Sequence, residues 1–308
     1  MSALGEVLEE YLATRRALGF KLERHGQLLA SFVAFMDETG RTAITMASAT
    51  TWASLPKGAD PSWWGARLGA VRCFARFCSA FDPATEVPPK DVLPARSKRA
   101  EPYLFSDSEL AAVLAATETI RSPLKAATYR TLIGLLAVTG MRVGEAIALD
   151  REDVDLAAGV LSVRGAKFNK SREIVLHTST SAALARYDAL RATSLPCPSS
   201  PAFFVSTSGT RLIYNNVGNG WSRLVRAAGI APRSKRCRPR IHDLRHRFAV
   251  STLLRFYAED GEVEARLPLL STYLGHRSPK DTYWYLTAVP ELLGLAALRL
   301  EAAEGSRR

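Results

Sequence analysis

The chain is poor in the residues that build metal sites and disulfide scaffolds. Four cysteines and five histidines are spread over 308 residues. Cys73, Cys78, Cys197 and Cys237 form no CxxC pair. His242 and His246 follow Cys237, but without a second cysteine they do not make a zinc set. Isolated thiols of this kind fit a reducing compartment. Long apolar runs are also missing. No stretch of about 18 apolar residues occurs, which excludes a membrane span. The opening "MSALGEVLEEYLATRRALGF" carries acids early and has no apolar core, so it does not read as a secretory signal. No internal repeat is evident. The expectation is an intracellular protein with neither metal nor cofactor.

What the chain does have is positive charge. Its 41 lysines and arginines against 30 acids leave a net charge of +11. An excess of this size points to a polyanionic partner, most often nucleic acid. The charge is also clustered. "PRSKRCRPRIHDLRHR" holds Arg233, Lys235, Arg236, Arg238, Arg240, Arg245 and Arg247 with a single acid, Asp243. "PARSKRA" adds Arg96, Lys98 and Arg99. Clusters bind phosphates better than scattered charge does.

Length and patterning predict two domains. Residues 1–88 show three helical periods, ending near Gly19, Gly40 and Phe81, and read as a small helix bundle. Arg67, Arg72 and Arg76 only partly share a face of the third; a solvated face is the plain reading and DNA contact the sharper one. Residues 89–104 are rich in proline and charge, lack a period, and read as a linker. Residues 105–308 form the second domain. Ser106 and Glu109 make a capping box. "PLKAATYRTLIGLLAVTG" reads as a nearly buried helix stopping at Gly140, and "MRVGEAIALD" as the next short one. "GVLSVRGAKFNKSREIVLH" reads as a β-hairpin with strands near 160–164 and 172–177. Helices follow near 180–193, 214–228, 241–258 and 262–274, then one from about 280 to 300. The fold class is mainly α with a small β-sheet.

Four stretches carry candidate chemistry. In "TGMRVGEAIAL", Arg142 and Glu145 lie three apart, where a carboxylate can hold a guanidinium in one orientation. In "IHDLRHRFAV", His242 and Arg245 share a face, and the apolar neighbours of Arg245 suggest burial, which demands a partner. A phosphate would serve. The turn "GAKFNKS" places Lys167 or Lys170 at a hairpin tip. The fourth is "LGHRSPKDTYWYL". His276 precedes Tyr285 by nine residues, and helical rotation separates Tyr283 from Tyr285 by about 200°, so only one can face a given site. Arginines, histidines, a lysine and a tyrosine suit attack on a phosphodiester. Arginine binds phosphate oxygens bidentately and stays charged, lysine or histidine can protonate a leaving oxygen, and tyrosine is a covalent nucleophile once cations favour its phenolate.

In this order and spacing, "TGMRVGEA", "HDLRHRFA", "LGH" and "TYWYL" resemble the catalytic motifs of the tyrosine recombinase, or phage integrase, family. The resemblance covers about residue 100 onward. It implies a helical, SAM-like core-binding domain followed by a catalytic domain. Arg142 then matches the first arginine, Glu145 its supporting acid, His242 and Arg245 the HxxR pair, His276 the position after Leu-Gly, and Tyr285 the nucleophile. Lys167 matches the hairpin lysine, with Lys170 as alternative; Phe168 stands where members often have glycine. The implied activity is site-specific cutting and rejoining of DNA through a 3′-phosphotyrosyl bond and a Holliday junction, without ATP or metal. Implied partners are double-stranded recombination sites and three further copies of the chain, in the cytoplasm at the nucleoid. The apolar tail "ELLGLAALRLEAA" either packs on its own domain or docks on a neighbouring protomer. Arg96, Lys98, Arg99, Arg233, Lys235, Arg236, Arg238 and Arg240 are the DNA-binding candidates. Tyr283 and Trp284 are expected to pack. Rival readings are a type IB topoisomerase-like enzyme, a recombinase-like DNA-binding protein without catalysis, and, on charge alone, an RNA-binding protein.

Overall fold

The computed structural model describes residues 2–93, 100–166, 170–259, 263–275, 278, 282, 283, 285, 293 and 294, with backbone alone for 165, 166 and 170. The chain divides into two compact units, Met1–Arg99 and Ala100–Arg308. Among the described residues no helix is long and apolar enough to cross a membrane.

The first unit packs α1 (Ala3–Ala17), α2 (Glu23–Glu38), α3 (Met46–Ser54) and α4 (Pro61–Cys78). Each start has a local cause. The Ser2 hydroxyl accepts from the Gly5 amide, Thr45 and Ser48 cap each other, and Asp60 caps a helix whose first residue is Pro61. Leu8, Leu29, Phe32, Met36, Trp52, Leu68 and Phe74 fill the core. Full burial of such side chains contributes about 1.5–3 kcal/mol each. The pattern predicted three helices here. The additional one, α3, lies in "MASATTWAS", where only Ala49, Trp52 and Ala53 supply buried apolar surface. Two arginines of α4 serve the fold. Arg67 is buried, donates to the Trp52 carbonyl at 2.8 Å and stacks on the Trp52 ring. Arg72 donates to the Pro88 and Pro89 carbonyls, both at 2.7 Å. Arg76 is exposed.

The second unit is built around α6 (Pro123–Thr139), which packs against α8 (Thr178–Ser194) and α10 (Asp243–Ala258), with α5 (Asp107–Ala116) and α7 (Val143–Ala148) beside it. The capping box of Ser106 and Glu109 starts α5. A three-stranded antiparallel sheet, β1 (Val154–Asp155), β2 (Val160–Ala166) and β3 (Lys170–Val175), follows α7. In the hairpin Leu161 pairs with Ile174 and Val163 with Arg172, and the register shifts before Ala166 pairs with Lys170. The second strand thus begins two residues before the predicted 172 and ends two before 177, because His177 turns out of the sheet to cap α8. Helices α9 (Tyr214–Ala227) and α11 (Val263–Tyr273) are the further α-helices of this unit among the described residues, and short 3-10 turns lie at Thr117–Thr119 and Arg151–Asp153. Tyr103, placed by the sequence in the linker, is buried in this core beside Phe105, their ring centroids 4.7 Å apart.

Gly140 lets the site form. It ends α6 at φ +62, and a Cβ there would lie 2.5 Å from the Phe248 ring on α10. Only glycine takes this conformation without strain and leaves room for α10 to approach.

Candidate active site

Arg142 is the N-cap of α7 and Glu145 the third residue of that helix. The position explains the pair. Glu145 reaches back, accepting from the Arg142 amide through Oε2 at 3.0 Å and from Arg142 Nη1 through Oε1 at 2.7 Å. Arg142 Nη2 donates to the Gly275 carbonyl at 3.0 Å. Burial alone would raise the Glu145 carboxyl, but hydrogen bonds and charge from Arg172, then hydrogen bonds from Arg142, hold it below the usual carboxylate range. A second guanidinium therefore sits on this carboxylate. Arg172 Nη2 meets Oε2 at 2.7 Å and Nη1 meets Oε1 at 3.3 Å. The sequence reading did not select Arg172. A signal was there: it shares strand parity with buried Ile174, so it stands on the inward face.

Arg245, on the first turn of α10, is 2% exposed. Its partners are main-chain oxygens. Nη1 donates to Gly140 at 2.9 Å and Nη2 to Leu274 at 2.6 Å. Burial, followed by the charge of Arg142, pushes its pKa down to about 10, so it stays a cation at neutral pH. The phenol of Tyr285 acts in the other direction, which places it within electrostatic reach of this guanidinium.

Tyr285 is 3% exposed and packs its ring edge-on against His246, centroids 5.4 Å apart; His246 in turn meets His242 at 4.9 Å. Tyr283 corrects an expectation. It was to pack beside Tyr285, yet it is 48% exposed. The rotation that turns Tyr285 inward turns its neighbour out. Trp284 lies outside the described residues.

Arg142, Glu145, His242, Arg245 and Tyr285 are thus brought together where α6, α7, α10 and the Gly275 turn meet. Lys167 and His276 lie outside the described residues, as does the side chain of Lys170. Arg96, Lys98 and Arg99 are likewise outside. The other basic candidates divide. Arg233 donates to the Leu104 carbonyl and stacks on Tyr103, and Arg240 grips Asp243 and reaches the Glu101 carbonyl. Arg236 lies 4.0 Å from Glu101. Lys235 and Arg238 are exposed. Among the described residues no group of three His, Cys, Asp or Glu could hold a metal ion.

The imidazole of His242 keeps an exposed edge, yet desolvation is the main cause that lowers its pKa from 6.5, with Arg245 next and Arg240 and Arg142 adding to it against the pull of Asp243. It is therefore neutral at pH 7, free to accept a proton. Because folding lowers this pKa, the unfolded chain protonates first, and stability is lost as the pH falls below 6.5. An NMR titration of the His242 ring should show a midpoint below 6.5, moving up in Arg245→Met as that charge is removed. A midpoint at or above the ordinary value contradicts this electrostatic account.

Residues 104–291 match the Phage integrase family. The chain belongs to that family. This tyrosine recombinase is 43% identical over 309 residues to "Putative integrase/recombinase y4rB" of Sinorhizobium fredii, covering 98% of each chain. It is 26% identical to the tyrosine recombinase XerC of Vibrio cholerae, over 92% of this chain and 88% of that one. Among solved structures it resembles the Tn1549 transposon integrase in complex with transposon right end DNA, with a TM-score of 0.65 at 15% identity over 98% of this chain and 99% of that one. A lambda integrase tetramer bound to a Holliday junction gives 0.62 at 17% identity over 92% and 76%. These last two likenesses concern the fold. The recombinase is a DNA-cutting and rejoining enzyme acting at specific sites, as its motifs implied.

Proposed function

We propose that Tyr285 is the nucleophile that opens the DNA strand, with Arg142 and Arg245 holding the scissile phosphate. The observation that carries this reading is the meeting of two oriented guanidinium groups with one buried tyrosine that rests on His246, itself packed against the neutral ring of His242. The phenol passes its proton to neutral His242 as its oxygen attacks phosphorus, a 3′-phosphotyrosyl bond forms, the bond from phosphorus to the 5′ oxygen breaks, and that oxygen leaves with a proton. Lys167, or Lys170 from the same hairpin, supplies that proton; His242 and His276 steady the phosphate and assist the transfer. The phosphoryl bond is exchanged rather than hydrolysed, so attack by another strand's 5′ hydroxyl reseals the DNA without ATP. Four protomers on two duplexes complete the exchange through a Holliday junction. The helical first unit contacts the duplex, helped by Arg96, Lys98 and Arg99 before the second unit and by Lys235, Arg236 and Arg238 within it. Arg233 and Arg240 add charge there while tying residues 101–104 to the body of the second unit. The apolar tail beyond Pro290 docks on a neighbouring protomer. The protein works in the cytoplasm, on mobile DNA.

The test begins with selecting bound duplexes from a random pool. Two differently labelled duplexes bearing the selected site are then mixed with the protein, and the products resolved on a native gel. Four-way junctions and exchanged duplexes are expected. Relaxation of supercoils without sequence preference and without joining of two duplexes would mean a topoisomerase-like activity instead.

A further inference from the structure

Two guanidinium groups compete for one buried carboxylate at this site. Glu145 accepts from Arg142 and Arg172, whose side chains are 28% and 14% exposed. Arg172 takes both of its oxygens in a fork, at 2.7 and 3.3 Å. Arg142 is left with one side-chain contact to that carboxylate, and its other terminal nitrogen turns to the Gly275 carbonyl. Gly275 makes room for the arrangement, since a Cβ there would lie 3.0 Å from Arg172 Nη1. Stability is a poor explanation for Arg172. Buried ion pairs lose in desolvation much of what they gain, and its buried Nε has no hydrogen-bond partner among the described residues.

We propose that Arg172 is a positioning residue that keeps Glu145 from neutralising Arg142. By occupying the carboxylate it restricts Arg142 to a single side-chain bond with it. The three cationic and anionic groups together retain a net positive charge, and the Arg142 donors that have no partner among the described residues are left for a phosphate. Without Arg172, Glu145 would chelate Arg142 in a fork of its own and turn it from the phosphate. Arg172 stands on β3, five residues after Lys167 and two after Lys170. Seating of the hairpin and orientation of the Arg142 clamp are thus one event. The inference rests on the recombinase reading of the site given above.

The test is single-turnover formation of the covalent adduct on a nicked duplex carrying the selected site, alongside thermal melting of each protein. Arg172→Met should slow the adduct roughly 10- to 100-fold, the scale of a misplaced catalytic group. The decisive variant is the double substitution Arg172→Met with Glu145→Gln. Removing the carboxylate's charge releases Arg142, so the double variant should cleave several-fold faster than Arg172→Met alone. A residue that served only the fold would recover cleavage only in step with its melting temperature, because Glu145→Gln also relieves a buried carboxylate left under-compensated. Arg172→Lys covers the case in which Arg172→Met melts early: its single ammonium cannot close the fork, and it should cleave more slowly than wild type, recovering when Glu145→Gln is added. A wild-type rate in Arg172→Met or Arg172→Lys, or a double variant no faster than its parent, overturns the proposal. Absence of any adduct with the wild-type protein overturns the recombinase reading and this inference with it.

Discussion

Replacing Tyr285 with phenylalanine should abolish the covalent protein–DNA adduct, while Tyr283→Phe should leave it within a few-fold of wild type. Removing a nucleophile typically costs far more than about 1,000-fold, because no remaining group can form the bond. The two tyrosines are two residues apart, so any general weakening of the segment should affect both variants alike. Their surroundings differ. Tyr285 is 3% exposed, rests against the His246 ring, and feels the Arg245 charge, whereas Tyr283 is 48% exposed. The substitution at 285 keeps the ring that packs with Ala249, Leu253 and Leu274. Its cost in stability should stay near that of one hydrogen bond, about 1 kcal/mol. Denaturant titration beside the adduct assay separates the two effects. An adduct that persists in Tyr285→Phe and disappears in Tyr283→Phe would reassign the nucleophile.

The legible parts of this chain are those where a local cause operates. Ser106 and Glu109 announce α5, Gly140 ends α6, and alternation in 160–175 announces a hairpin, because capping, left-handed φ and strand parity are properties of a few adjacent residues. Helix α3 was hidden because its small polar residues carry little period, and its stability comes from seating Trp52 against Phe32. The site was legible as a set of residue types but not as a set of contacts. The apolar neighbours of Arg245 predict its burial and its need for a partner. Its partners are the carbonyls of Gly140 and Leu274, 105 and 29 residues away, and no side-chain pattern marks a carbonyl. Arg172 was one arginine among many, and its meaning depends on β3 approaching α7. The basic cluster was legible as charge but not as contacts. Arg233, Arg240 and Arg247 also tie residues 101–107 to the body of the second unit, through the carbonyls of Leu104, Glu101 and Phe105. Charge counting cannot tell such a clip from a phosphate contact, since a guanidinium donates equally well to either.

Arg245→Lys should cost cleavage roughly 100- to 1,000-fold, the range seen when an oriented donor to a developing charge is lost, although the charge is conserved. The geometry gives the reason. One planar group spans two carbonyls at 2.9 and 2.6 Å, from Gly140 at the end of α6 and Leu274 after α11. Those bonds fix the plane of the guanidinium and aim its remaining N–H donors. An ammonium on a shorter stem can satisfy one carbonyl but cannot present a fixed fork to phosphate oxygens. Arg245→Met separates the electrostatic part. It leaves two buried carbonyls unpaired, at about 1–3 kcal/mol each, but also removes a buried cation whose desolvation already pushes its pKa down to about 10. These terms oppose one another, so the net change in unfolding free energy should be small beside the loss of cleavage. The two measurements are therefore read together: single-turnover cleavage on the selected site, and urea unfolding. Cleavage within about ten-fold of wild type in Arg245→Lys would mean that the phosphate is held elsewhere, and that Arg245 serves to join α6 to the Gly275 turn. A collapse of cleavage with the fold intact places the conserved charge and the lost plane in the same experiment, and assigns the effect to the plane.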